Sequence, residues 1–112
     1  MSTAVREKLL GEVEDAFALS KTEMGRIFGV SRQAIDQWHE RGIPSGRQEK
    51  AATVAAVADL LRHQLKEERV AGVVRRPARA YGGLTALEMI ARDRQDELLE
   101  IVRGSFDWAS PA

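Results

Sequence analysis

Apolar residues recur along this chain at intervals of three and four positions, and no stretch alternates convincingly between apolar and polar residues. One apolar stripe runs from Val5 to Phe17, a longer one runs from Ala51 to Leu65, and shorter ones lie between and after them. Spacings of three and four place side chains on one face of an α-helix, whereas a β-strand requires a period of two. The sequence therefore predicts an all-α fold.

Signals for the starts and ends of helices divide the chain further. Capping boxes, in which a hydroxyl and a carboxylate or amide side chain bond to backbone N–H groups, are predicted at Ser20–Glu23, Ser45–Gln48 and Thr85–Glu88. Gly29 and Gly42 are predicted to end two short helices that lie between the first two boxes.

The helix signals predict two regions. A long helix from about Gly46 to Glu68 is expected to join an N-terminal repressor-like helix-turn-helix bundle, residues 1–69, to a small C-terminal helical domain, residues 70–112. Pro77 and the Gly82-Gly83 pair indicate a connecting loop within the C-terminal region. A chain of 112 residues has room for one domain or two very small ones.

The residue types exclude several classes of function. There are no cysteines and only two histidines, which excludes a disulfide scaffold, a thiol nucleophile and a zinc site built on cysteine. Because we find no nucleophile paired with a base and no phosphate-binding glycine loop, we expect no catalytic residue, cofactor or metal, and no enzyme. No apolar run approaches the roughly 18 residues of a membrane span, and no signal peptide is recognisable, so we expect no membrane partner and a cytoplasmic location.

The formal net charge is zero, but the charges are unevenly distributed. Residues 20–84 hold twelve basic and seven acidic side chains, whereas residues 1–19 and 85–112 each carry net negative charge. A local excess of positive charge attracts phosphates whatever the total charge, so the middle of the chain is a candidate nucleic-acid-binding region. The alternative is an ordinary charged surface in contact with solvent.

Residues 20–42 have the order of a short helix, a glycine turn, a serine cap and a second short helix. Gly29 stands where the chain turns sharply, and Ser31 can cap the second helix. Val30 and Ile35 are apolar where the two helices would meet. This is the order of a helix-turn-helix, whose second helix enters the major groove of DNA.

The candidate DNA-contacting residues fall into two groups. The side chains expected to face base edges from the second helix are Arg32, Gln33, Asp36 and Gln37. Those expected to contact phosphates are Lys21, Ser31, Arg41, Arg47 and Lys50. An ordinary solvated side chain is the alternative for Gln33, Gln37, Arg41, Arg47 and Lys50. His39 and His63 are predicted to be plain surface residues.

The stretch Glu23–Gly42 resembles the phage-repressor class of helix-turn-helix proteins, also called the Xre-like or Cro/repressor class. Its Gly-Val-Ser, Ile, Trp and Gly residues keep the spacing of that class. The resemblance implies that Arg32, Gln33 and Gln37 occupy base-contacting positions and that Trp38 occupies a core position. Gly25 stands where the class usually has alanine, and because glycine is also small, the packing is expected to survive.

Residues 70–103 resemble the toxin-binding domain of the Xre/MbcA/ParS antitoxins. The residues that keep the family pattern are Pro77, Ala80, Gly82, Gly83, Thr85, Leu87, Glu88 and Ile90. The departures are Ala86 for the usual proline, Val73 or Val74 where a tryptophan is common, and Asp93-Arg94 for a glycine. The resemblance implies a partner toxin of the RES-domain type, which consumes NAD.

The last nine residues form a predicted partner-binding tail. Gly104 is predicted to end the final helix, and Phe106, Asp107 and Trp108 follow it. Aromatic side chains are typical anchors of interfaces, and Asp107 between them could meet a basic site on a partner. The resemblance implies that this partner is the toxin. The alternative is that both aromatic side chains fold back onto the core of the chain itself.

These features predict a sequence-specific transcription regulator that binds double-stranded DNA. One short helix reads too few base pairs for useful specificity, so we expect a homodimer on an inverted-repeat operator. The resemblance implies the antitoxin of a type II toxin–antitoxin pair, which neutralises a RES-type toxin and represses its own operon. The alternatives are a stand-alone or phage-type repressor without a toxin, and a protein-interaction module that binds no DNA.

Overall fold

The computed structural model describes the backbone of residues 2–109 and the side chains of residues 9–105. Between residues 2 and 109 the chain is helical, as predicted, and contains no strand. The α-helices are α1 (Ser2–Phe17), α2 (Lys21–Phe28), α3 (Arg32–Arg41), α4 (Ser45–Gln64), α5 (Glu67–Val73), α6 (Ala86–Ala91) and α7 (Gln95–Ala109), with a 3₁₀ turn at Arg79–Tyr81. None of these helices is both long and apolar enough to cross a membrane.

Helix α4 lies at the centre of the packing. It contacts α1 and α7, while α2 contacts both α3 and α6. The side chains of Val54 and Val57 on α4 are fully buried, as are those of Leu10 and Phe17 on α1 and Leu98 on α7. Each helix therefore buries its apolar stripe against a neighbour, which is the packing that the spacing of apolar residues requires.

One hydrophobic core runs through both predicted regions. The predicted boundary near residue 70 falls within α5, and Val70 itself is fully buried. Phe17 and Ile35 on one side of the boundary belong to the same buried cluster as Met89 and Leu98 on the other. The described parts of the two predicted regions therefore share a core, whatever separate roles their surfaces have.

Two of the three predicted capping boxes are present. The Ser20 hydroxyl accepts from the Glu23 N–H at 3.1 Å, and the Glu23 carboxylate accepts from the Ser20 N–H at 3.0 Å. Thr85 and Glu88 form the same pair of bonds at the start of α6. These bonds satisfy N–H groups that a helix start otherwise leaves without partners, so the α2 and α6 boxes are confirmed.

The third capping box was a wrong prediction. Helix α4 begins at Ser45, one position earlier than expected, with Pro44 at the cap and no side-chain capping bond. The Gln48 amide instead donates to the Ile43 carbonyl at 3.0 Å. Proline fixes φ near the helical value and has no N–H, so it suits a helix start and moves the boundary away from the serine.

Two helix ends also differ from prediction. The long helix stops at Gln64 because Leu65 adopts an extended conformation, and α5 starts separately at Glu67. The final helix does not end at Gly104 but continues to Ala109. A glycine inside a helix costs only about 1 kcal/mol, and no proline follows until Pro111, so the glycine alone does not stop α7.

An arginine that follows α5 closes the end of α1. The Arg75 guanidinium donates to the carbonyls of Phe17 at 2.6 Å and Ala18 at 3.0 Å, and it also lies 3.4 Å from the Glu23 carboxylate. The last carbonyls of a helix lack intrahelical partners and carry partial negative charge. Arg75 therefore links the C-terminal region to the turn between α1 and α2. Ala18, which lies in this turn, has a positive φ of 52°.

Candidate nucleic-acid interface

The turn between α2 and α3 is built from local backbone geometry. Gly29 adopts a left-handed conformation (φ 69°, ψ 33°), as predicted, and the Val30 N–H donates to the Gly25 carbonyl at 2.8 Å. Ser31 caps α3, with its hydroxyl accepting from the Ala34 N–H at 3.1 Å. The glycine conformation and the serine cap are both confirmed, and together they set where α3 starts.

The contact between α2 and α3 is apolar. Ile35 is fully buried, and Trp38 is 5% exposed, so the prediction that Trp38 is a core residue is confirmed. The Trp38 ring meets the Phe28 ring edge-on, with centroids 5.5 Å apart and an interplanar angle of 77°. This geometry is one that aromatic pairs prefer, and it holds the buried side of α3 against α2.

Gly25 is the residue at which α2 comes closest to the turn. A Cβ at this position would lie 2.6 Å from the carbonyl oxygen of Val30 and 3.3 Å from the carbonyl carbon of Ser31. Both neighbours are backbone atoms, which cannot move away by changing a rotamer. Glycine therefore fits this close approach, whereas alanine, the residue usual in the resembling class, would require the backbone of the turn to shift.

We expect Gly25→Ala to lower the free energy of unfolding by about 1–3 kcal/mol, because the added methyl group must displace the turn. The measurement is urea denaturation followed by circular dichroism. Gly46→Ala is the matched control, since a Cβ there meets nothing within 4 Å and alanine favours the helix. A stabilising Gly25→Ala change, like that expected for the control, would contradict the close approach.

The outward face of α3 carries most of the predicted base-contacting side chains. Arg32, Gln33 and Gln37 are exposed, and Asp36 is partly exposed. Glu40, which sequence reasoning missed, is exposed on the same face, three positions after Gln37. The spacing of three positions between Gln37 and Glu40 could have identified Glu40 from the sequence. The face is therefore polar and of mixed charge.

Two side chains that are predicted to contact DNA, Lys21 and Asp36, form an ion pair with each other. The Lys21 ammonium at the start of α2 forms an ion pair with the Asp36 carboxylate on α3, and both side chains remain about half exposed. The hydrogen bond from Lys21 holds the pKa of Asp36 below its usual value, with a smaller contribution from the charge of Arg32. Asp36 is therefore a stable anion on this face, and Lys21 offsets its charge.

Two other predicted phosphate contacts are bound within the fold. The Arg47 guanidinium donates to the Phe28 carbonyl at 2.6 Å, where it caps the end of α2. The Lys50 side chain is only 10% exposed, and its ammonium lies 2.7 Å from the Asp93 carboxylate and 5.6 Å from the centre of the Phe28 ring. Lys50, predicted to contact phosphate, is thus largely covered and already paired with a carboxylate in this structure.

The remaining two predicted phosphate contacts lie at the surface, Ser31 at the start of α3 and Arg41 at its end. Arg41 and Ser31 are exposed, and Arg41 forms no ion pair with the side chains of residues 9–105. The start of α4, at Ser45 and Gly46, is also exposed and lacks a side-chain cap. A helix start of this kind offers backbone N–H groups to an anion.

His39 was predicted to be a plain surface residue, and this was wrong. Its Nε2 lies 2.9 Å from the Glu14 carboxylate, so the side chain links α3 to α1. The two residues are 25 positions apart, and no local pattern connects them. His63 is exposed, with its Nδ1 2.8 Å from the Asp59 carbonyl oxygen.

Protein-family models, curated proteins and solved structures yield no match to this chain. The predicted toxin-binding residues Phe106, Asp107 and Trp108 lie in the last part of α7, and their side chains fall outside the described residues. The geometry of the α2–α3 unit is therefore the basis for a functional proposal.

Proposed function

We propose that this protein binds DNA in a sequence-specific manner, with α3 in the major groove. The observation that carries the proposal is the pairing of a capped helix start at Ser31 with exposed Arg32, Gln33 and Gln37 in the first turns of α3. Helices of this kind present their N-terminal residues to base edges. Arginine pairs with guanine and glutamine with adenine through two hydrogen bonds each.

Positive charge beside α3 supports the same proposal. Arg41 and the uncapped start of α4 lie at the end of α3, where a DNA backbone would run beside a helix in the groove. The fixed orientation of α3 against α2, through Ile35 and Trp38, would keep the exposed side chains in register with the bases. The test is binding to DNA from upstream of the protein's own gene, measured over a range of salt concentrations.

We expect Gln33→Ala or Gln37→Ala to weaken binding to the preferred site by about 1–3 kcal/mol and to relax sequence preference at one base pair. Fluorescence anisotropy with the preferred site and with unrelated DNA of equal length measures both effects. Gln64→Ala is the control, because Gln64 is an exposed glutamine at the last position of α4 rather than on α3. Equal binding by all three variants, with unchanged circular dichroism, would show that Gln33 and Gln37 do not read the bases and that the proposed orientation of α3 in the groove is wrong.

We further propose that the protein is a homodimeric antitoxin that neutralises a toxin of the RES-domain type and represses its own operon. The support is the resemblance of residues 70–103, in which Thr85 and Glu88 form the capping box at the start of α6. The test is co-expression with the product of the adjacent gene. Rescue of growth and a joint complex support the antitoxin role, whereas DNA binding without a toxic neighbour supports a stand-alone repressor.

One observation favours a second candidate, a protein-interaction module that binds no DNA. Lys21 and Lys50 are paired with carboxylates, and Asp36 and Glu40 place negative charge on the outward face of α3. Such a face suits a polar protein partner as well as a nucleic acid. The salt series separates the two, because a DNA-binding protein loses affinity steeply as salt concentration rises.

A further inference from the structure

We propose that Asp36, held by Lys21, selects a base that presents an amino group in the major groove, cytosine or adenine, at one position of the DNA site. This inference rests on the proposed function and deepens it. Asp36 lies on the outward face of α3, three positions after Gln33 and next to Gln37. Gln33 and Gln37 would thus contact the base pairs that flank the one read by Asp36.

The geometry leaves the carboxylate available to DNA. One oxygen of Asp36 is bonded to the Lys21 ammonium, which comes from the start of α2 rather than from α3. The second oxygen has no bond within the described side chains, and 44% of the side chain is exposed. Because Lys21 reaches Asp36 from another helix, the ion pair also restricts the direction in which the carboxylate points.

The charge state of Asp36 determines which bases can donate a hydrogen bond to it. The bond from Lys21 lowers the pKa of Asp36, so the carboxylate is ionised and can only accept hydrogen bonds. In the major groove, cytosine presents its N4 amino group and adenine its N6 amino group. Guanine and thymine present carbonyl oxygens at the corresponding positions, which an anion repels.

Besides restricting the direction of the Asp36 carboxylate, Lys21 offsets its negative charge. An unpaired carboxylate on a DNA-facing surface would be repelled by the phosphates of any sequence. The ammonium of Lys21 offsets that charge without occupying the second oxygen. Lys21 therefore both orients Asp36 and offsets its charge, and its removal should weaken binding to all sequences and also reduce the preference at the Asp36 position.

The competing interpretation is an ordinary surface ion pair, which contributes little to stability and nothing to recognition. The two interpretations differ in what DNA the protein selects. We would select bound sequences from a randomised DNA pool with the wild-type chain, Asp36→Ala, Asp36→Asn, Lys21→Met and the control Asp59→Ala. Asp59 is also an exposed aspartate but lies on α4, far along the chain from α3.

For the wild-type chain and the control, we expect cytosine or adenine to be enriched on the order of tenfold at one position. Asp36→Ala should lose that preference while keeping the others, and Asp36→Asn should broaden it, because an amide both donates and accepts. Lys21→Met should weaken binding to every sequence, and adding Asp36→Ala to it should restore affinity.

Three outcomes would overturn the inference. If wild-type protein selects a sequence and Asp36→Ala selects the same one, Asp36 reads no base. If both Asp36 variants lose every preference while circular dichroism is unchanged, the residue organises the whole face rather than one contact. If the wild-type chain enriches no sequence at all, the proposed DNA-binding function itself fails, and the inference fails with it.

Discussion

Phe28→Ala is expected to lower the free energy of unfolding by about 3–5 kcal/mol, a large part of the stability of a small protein. Phe28 is 1% exposed and lies at the end of α2, where it packs edge-on against Trp38. Lys50 lies over the same ring, and Arg47 bonds to the carbonyl of the same residue. Removing the ring leaves a cavity among three helices, which the surrounding side chains can fill only in part.

Urea denaturation followed by circular dichroism measures this loss, and Thr22→Ala on the exposed side of the same helix is the control. We expect the control to change stability by less than about 0.5 kcal/mol. Phe28→Leu should fall between the two, because it keeps much of the buried volume. A loss for Phe28→Ala no larger than that of the control would mean that this aromatic cluster does not hold α2, α3 and α4 together.

Arg75→Met is expected to lower the free energy of unfolding by about 2 kcal/mol, since it removes charge-assisted bonds to the end of α1. The guanidinium bonds to the carbonyls of Phe17 and Ala18 and lies beside Glu23 in the α2 capping box. Methionine keeps most of the aliphatic stem, so the effect reports on the charged group. Loss of this bond also leaves Ala18 in its left-handed conformation without support from Arg75.

Arg76→Met is the matched control, because Arg76 is the next residue, is exposed and forms no ion pair with the described side chains. Arg75→Lys should be more stable than Arg75→Met but less stable than the wild-type chain, since an ammonium cannot donate to both carbonyls from two separate nitrogen atoms as the guanidinium does. Thermal unfolding of the four proteins provides the comparison. Similar melting temperatures for Arg75→Met and Arg76→Met would show that the cap on α1 contributes nothing.

Features of this protein that depend on nearby residues were predictable from the sequence. The all-helical class follows from the spacing of apolar residues, and the start of α2 follows from Ser20 and Glu23, three positions apart. The turn at Gly29 and the cap at Ser31 are equally local. Each of these depends on bonds or steric limits within one helical turn, which the order of residues specifies directly.

The tertiary structure alone decided which charges remain at the candidate interface. Lys50 meets Asp93 across 43 positions, and Arg75 meets the end of α1 across more than 50. Lys21 and Asp36 meet because α2 and α3 pack together, and the close approach at Gly25 also depends on that packing. Long side chains can reach many partners, and only the relative placement of whole helices selects among them. The sequence therefore determined the helical class, the local caps of α2, α3 and α6 and the apolar faces that are buried, while packing determined which polar side chains are free to bind a partner.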